Sequence, residues 1–288
     1  MTDELAAWVG RTEERREVLD LSRLRGLAAT IAPDTEITGG APVPPGWHWL
    51  FFNPLVAMGE VGPDGHPRKG GFLPPVPLPR RMWAGGEITF IEHLRAGLEA
   101  TRHSEIVAVE QKSGKQGTLV FVTVRHRVAQ DSRVAIDELQ NIVYRNPVVA
   151  SGTARPPPAI EEIPGAESWQ DAFCADEVIL FRYSALTFNG HRIHYDKDYA
   201  TREEGYPALV VHGPLTATLL MQAVTRHLPQ GPRDQPLLRQ FTYRGVAPLF
   251  VHESVTLAGR REPDGSLALS ARKRDGSEVM TARAETRS

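Results

Sequence analysis

The chain has 288 residues and one cysteine, Cys174. A disulfide framework and a CxxC-type zinc site are therefore both excluded within a single chain, which fits a reducing compartment. Excess charge is also missing. The 33 Lys and Arg against 35 Asp and Glu leave a formal net charge of −2. That balance gives no electrostatic footprint for nucleic acid or an anionic membrane. The longest apolar run is interrupted by His212, Gly213 and Pro214, so no segment reads as a bilayer span. The opening twenty residues are charged and lack the apolar centre of a signal peptide. A cytoplasmic location is expected, with no nucleic-acid or membrane partner. GxGxxG, Walker, GxSxG and HExxH patterns are all absent. No metal site is expected, because His93 and His252 read as strand residues without neighbouring ligands. Cys174 is expected to be buried rather than reactive.

The apolar fraction, 41%, suffices for one large domain or two of moderate size. Residues 3–32 read as helix, with the Arg/Glu cluster at 11–17 as a solvated face. Residues 47–52 are a short apolar, aromatic segment, and 53–81 are rich in Pro and Gly. Strands are predicted at 82–92, 104–111, 118–128 and 135–144, the third dense in β-branched residues. Ser113, Gly114 and Gly117 mark the turn before that third strand. Residues 147–168 hold five prolines and two glycines and form the best linker. Residues 177–184 suit strand or helix. The last fifty residues read as a meander of strands at 237–243, 251–259, 266–272 and 278–284. Asp264-Gly265 and Asp275-Gly276 sit between the last three as hairpin turns.

The densest chemistry lies in residues 184–215. Asn189, His191 and His194 fall within six residues, Asp196 follows, and His212-Gly213-Pro214 opens a buried-type helix reaching Leu228. Leu215, Leu219 and Ala223 form one apolar ridge, and Leu220, Val224 and Leu228 another. Pro214 suits the first helical position. The free N–H groups ahead of it, Gly213 among them, carry partial positive charge.

This stretch resembles the MaoC-like hydratase (hydratase 2) family. Its signature is an Asp, four residues, a His, one residue and an Asp, with an apolar-His-Gly segment further on. Asn189-Gly190-His191-Arg192-Ile193-His194-Tyr195-Asp196 and Val211-His212-Gly213 match, except that Asn189 replaces the usual catalytic Asp. The wording is similar to the branch holding hydroxyacyl-thioester dehydratase type 2 and the mesaconyl-C4-CoA and itaconyl-CoA hydratases, in which that Asn is usual. The resemblance implies an α+β double hot dog, two antiparallel sheets each around a central helix. It implies water addition to, or removal from, an enoyl thioester, with short dicarboxyl acids among the substrates of that branch. No cofactor is implied, since CoA or acyl carrier protein belongs to the substrate. A homodimer or higher homo-oligomer is expected.

Such hydration needs a base, an acid and donors to the thioester oxygen. His194 is the candidate base, since imidazole titrates near neutral pH. Asn189 has no titrating group; it either orients the water or simply forms an Asn-Gly turn. Gly213 N–H is the candidate oxyanion donor. His191 and Arg192 are candidates to meet a substrate carboxylate or a CoA phosphate. His212 is a substrate contact or, more simply, a brace for the loop. Asp196 and Pro214 are supports. The Arg272-Lys273-Arg274 cluster reads as a solvated turn.

A shift of 159 superposes Arg80 on Arg239, Gly86 on Gly245, His93 on His252 and Leu98 on Leu257. It suggests a degenerate first domain (1–146), the linker (147–168) and a catalytic domain (169–288). The first domain's counterpart of VHGPL would be FFNPL, with its helix cut short at Gly62-Pro63. A thioesterase and a non-catalytic thioester-binding protein are the alternatives.

Overall fold

The computed structural model describes residues 2–114, 117–146, 169–228 and 235–287. The expected linker at 147–168 lies outside them. In chain order the elements are α1 (Thr2–Ala6), β1 (Thr12–Val18), α2 (Leu21–Ile31), β2 (Arg80–Phe90), β3 (Glu99–Gly114), β4 (Gly117–Gln130) and β5 (Arg133–Arg145). The second half adds β6 (Trp169–Cys174), α3 (Glu177–Leu186), α4 (Gly213–His227), β7 (Leu238–Gly245), β8 (Ser254–Arg261), β9 (Leu267–Lys273) and β10 (Glu278–Thr286).

All ten strands join one antiparallel sheet in the order β1-β3-β4-β5-β2-β7-β10-β9-β8-β6. The order is symmetric about the β2–β7 pair, where Gly85 faces Arg244 and Thr89 faces Gln240. Each strand of the first half thus has a counterpart, β1 for β6 and β3 for β8 among them. The repeat suggested by sequence therefore exists as topology. The 159-residue shift holds at β2 and β7, then drifts, since Leu98 precedes β3 whereas Leu257 lies inside β8.

The segment predicted as one helix at 3–32 is α1, β1 and α2. Gly10, at φ +86°, breaks the run. The Arg/Glu cluster is then drawn out as an edge strand by pairing with β3, Thr12 to Glu105 through Val18 to Glu99. Glu13–Arg15 and Glu17–Arg23 pairs, at 2.8 and 2.7 Å, hold its charges. Charged residues suit an edge because they oppose further pairing. Strand β6 carried no sequence signal. Cys174, its last residue, is exposed rather than buried, because strand alternation turns it outward. His93 and His252 sit in loops, not strands, His252 at φ +67° with Nε2 3.1 Å from Glu177.

Helices α2 and α3 start on aspartates: Asp20 accepts from Arg23 N and Asp176 from Ile179 N, at 3.0 and 2.8 Å. Residues 177–184, open to either reading, are helical. In α4 every residue from Leu215 to Val224 is buried. Burial of each of its leucines contributes about 1.5–3 kcal/mol relative to exposure. Gly213 opens this helix and Pro214 comes second, one position later than expected. One apolar cluster contains α4, the 47–52 segment and strands of both halves. Between FFNPL and β2 the described residues form no α-helix; a three-residue 3-10 turn, Met58–Glu60, and loops run to β2.

Candidate active site

The loop from α3 to α4 brings the expected residues together. A 3-10 turn, Arg192–His194, drops His194 into the interior, 7% exposed. Its Nδ1 lies 2.7 Å from the Val210 carbonyl oxygen. A carbonyl only accepts, so Nδ1 carries the hydrogen and Nε2 is left with the lone pair. Burial lowers the His194 pKa to about 4, against the pull of Val210, so the ring is neutral at pH 7. His212 stacks on it, with centroids 3.6 Å apart, and His191 meets it edge-on at 5.4 Å. Burial and the neighbouring imidazoles also push both of these rings down.

His212 is 1% exposed, lies between Tyr183 and His194, and is hydrogen-bonded to Ser184 Oγ at 2.9 Å. That position braces the loop. As helix N-cap it presents Gly213, whose N–H has no acceptor among the described residues. Asn189 Oδ1 accepts from His191 N at 2.9 Å. The turn reading of Asn189 is therefore visible, and the amide nitrogen is left as a donor. Arg192 is bound to Asp196 at 2.7 Å, donates to the Pro63 carbonyl at 3.0 Å and lies over the Tyr199 ring. Asp196 also accepts from Tyr199 N, so it shapes the loop without touching His194.

Sequence reasoning missed the first half's contribution. Gly65, at φ +88°, crosses Gly190 so closely that a Cβ would stand 1.8 Å from the Gly190 oxygen. Only glycine permits this approach. Arg192 N donates to the Asp64 backbone carbonyl beside it at 2.9 Å. The crossing sets His66 on His191, with centroids 4.0 Å apart, and Asp64 holds His66 Nδ1 at 3.0 Å. Asp64, His66 and His191 place potential ligand atoms within 4.8 Å of one another, the one such group among the described residues. Trp83 of β2 covers Gly213; its Cε3 is 3.0 Å from where a Gly213 Cβ would stand. Trp83 stacks on Tyr243 and meets Trp49 edge-on, and Glu138 anchors Trp49 Nε1 at 3.0 Å. The adjacent glycines Gly85 and Gly86, where the strand register shifts, are a local sequence feature beside this roof.

The symmetric ten-stranded sheet, with a buried helix that starts beside a buried histidine, is a double hot-dog fold. Solved structures agree on the fold. HtdX of Mycobacterium tuberculosis aligns with a TM-score of 0.63 at 18% identity, covering 96% of this chain and all of that one. A MaoC-like dehydratase from Phytophthora capsici aligns at 0.67 and 14%, covering 100% and 99%. In sequence, the chain is 43% identical to mesaconyl-C(4)-CoA hydratase of Chloroflexus aurantiacus, over 92% of this chain and 95% of that one. It is 28% identical to the mitochondrial hydroxyacyl-thioester dehydratase type 2 of Schizosaccharomyces pombe, over 79% and 80%. The sequence profile of hydroxyacyl-thioester dehydratase type 2 matches residues 46–251. The chain belongs to that family, and is a hydratase/dehydratase of acyl thioesters.

Proposed function

We propose that the substrate is a CoA thioester of a short dicarboxyl enoic acid of the mesaconyl type, whose second carboxylate sits on the carbon that takes the water. The 43% identity to a mesaconyl-C(4)-CoA hydratase supports this choice. The mechanism rests on the His194–Val210 hydrogen bond, which leaves Nε2 as a base. Water attacks C3 while Nε2 takes its proton. The C=C electron pair moves onto the thioester oxygen, held by Gly213 N–H at the helix start. His194 then returns the proton to C2. Asn189 offers its amide N–H to the water oxygen and exchanges no proton. The two nearby carboxylates, Asp64 and Asp196, are engaged with His66 and Arg192, so one imidazole serves both proton steps.

We assign residues 1–146 to a non-catalytic domain that roofs the site and 169–288 to the catalytic domain. No cofactor beyond the substrate's own CoA is required. No helix among the described residues is long and apolar enough to cross a membrane, and a cytoplasmic homo-oligomer is the working assignment. A panel of enoyl-CoA thioesters tests the reading, with enoyl absorbance and free thiol followed together. The mesaconyl C4 thioester should lose absorbance fastest without thiol release. Thiol release alone would make the protein a thioesterase, and binding without turnover a non-catalytic thioester-binding protein.

A further inference from the structure

Most half-buried arginines of the first half are paired with a carboxylate. Arg80 pairs with Glu204 at 3.0 Å, Arg102 with Glu13 at 3.7 Å and Arg125 with Asp137. Among the described residues three partly buried arginines of the first half, Arg81, Arg95 and Arg145, have no carboxylate partner, and of these Arg81 is the one whose charge bears on His66 and His191. Burial lowers the pKa of His66, Lys69 and His191, and the Arg81 charge lowers each further. The only acid in that group, Asp64, is committed through both oxygens, to His66 N and His66 Nδ1, each at 3.0 Å. A guanidinium partly withdrawn from water with no counter-charge is costly unless an anion completes it.

The strand register says where that anion would lie. Arg81 faces Tyr144 and Trp83 faces Ile142, with the ladder irregularity only after Trp83. Arg81 and Trp83 therefore share one face of β2, two residues apart or about 7 Å. Trp83 is the ring that covers Gly213. On the other side, His191 touches both His66 and His194. Arg81 is thus two residues along β2 from the ring that covers Gly213, and its charge bears on His191, which meets His194. A divalent metal at Asp64, His66 and His191 fits less well, because the Arg81 charge opposes a second cation there.

We propose that Arg81 is the specificity residue of this site: its guanidinium receives the second carboxylate of the acyl chain, with His66 and His191 lining the same pocket. Guanidinium suits this task because its fork binds a carboxylate with two parallel hydrogen bonds. The inference rests on the dicarboxyl reading above, and the following experiment separates the two. Wild type, Arg81→Gln and Arg81→Lys are assayed with the mesaconyl C4 thioester and with crotonyl-CoA, which lacks the second carboxylate. Removing one partner of a buried charge pair costs about 2–5 kcal/mol, a loss of roughly 30- to 4,000-fold. Arg81→Gln should lose that much kcat/KM on the dicarboxyl thioester and keep its crotonyl-CoA activity within about threefold, with Arg81→Lys between. If wild type prefers crotonyl-CoA, the dicarboxyl reading fails, and this inference with it. If wild type prefers the dicarboxyl thioester and Arg81→Gln keeps that preference, Arg81 alone is wrongly assigned. Equal loss on both substrates, or Arg81→Gln and Arg81→Lys both failing to fold, would make Arg81 structural and overturn the proposal. A gain of activity on added Zn²⁺ or Mn²⁺ would favour the metal instead.

Discussion

The two halves share a strand order and differ in what crosses the sheet. In the second half a fifteen-residue helix, buried from Leu215 to Val224, starts at Gly213, directly after the His212 ring that stacks on His194. In the first half the same position in the topology carries the Trp47–Leu50 turn and a long loop. That loop leaves its own half, crosses Gly190 and hands Asp64, Gly65 and His66 to the other. Loss of a helix here is a gain of reach: a segment freed from helical hydrogen bonds can line a neighbour's site. The proposed division of labour follows, with chemistry on one side and roof and pocket wall on the other.

The harshest way to break that comparison is to separate the halves. A fragment of residues 150–288 keeps Asn189, His194 and Gly213 but loses Trp83 and the Gly65 crossing, and bares the β7 edge. It should be inactive and insoluble or self-associated, and coexpression of residues 1–149 should restore both. An active monomeric fragment would reduce the first half to an appendage. Within the catalytic half, His194→Ala should lower kcat by about 100- to 10,000-fold with the melting temperature kept. Retention of a tenth of the activity would remove His194 from the mechanism.

Gly65→Ala probes the loan from the first half. Left-handed backbone costs an alanine about 1–2 kcal/mol, and the Gly190 oxygen must also move. A loss of roughly 5- to 30-fold in kcat/KM is expected, and unchanged kinetics would mean the crossing does not position the site. Asn189 gives a smaller step. Asn189→Ala should lose about 2- to 10-fold, the scale of one hydrogen bond, and Asn189→Asp less; if both equal wild type, the residue only makes the turn. The mildest effect is on pH. His194 in the fold stays neutral until pH falls to about 4, so the acid limb of kcat/KM should lie well below the ordinary histidine value near 6.5. His126 of the first half is lowered to about 4 as well. Between these values the unfolded chain binds protons that the folded chain refuses, so stability present at pH 7 should fall from pH 6.5 toward 4. Melting curves at pH 7 and 5 test this; equal midpoints would show that the rings titrate normally.

Local rules made the second half legible. The i, i+4 ridges of α4 and the Asp-Gly turns of the last hairpins are written within a few residues of each other, and the structure follows them. The His-containing loop was legible because its groups lie close in sequence. What escaped has a shared physical cause. Strand β1 reads as a helix surface until β3 is there to pair with it, and β6 likewise depends on β8. Gly65 meets Gly190, and Trp83 meets Gly213, across more than a hundred residues. No periodicity near Gly65 or Arg81 registers a partner that distant.

The β2–β7 seam has a consequence for synthesis on the ribosome. Strand β2 ends at Phe90 and β7 begins at Leu238, 148 residues later. At roughly 5–20 residues per second, the outer edge of β2 waits about 7–30 s for its partner. During that interval it is an open template for any passing strand. The bulge between Trp83 and Gly85, and the side-chain-free pair Gly85-Gly86, twist and weaken that edge just where it waits. The same glycines that let β7 approach closely at the end thus make β2 a poor host for the wrong strand before it arrives.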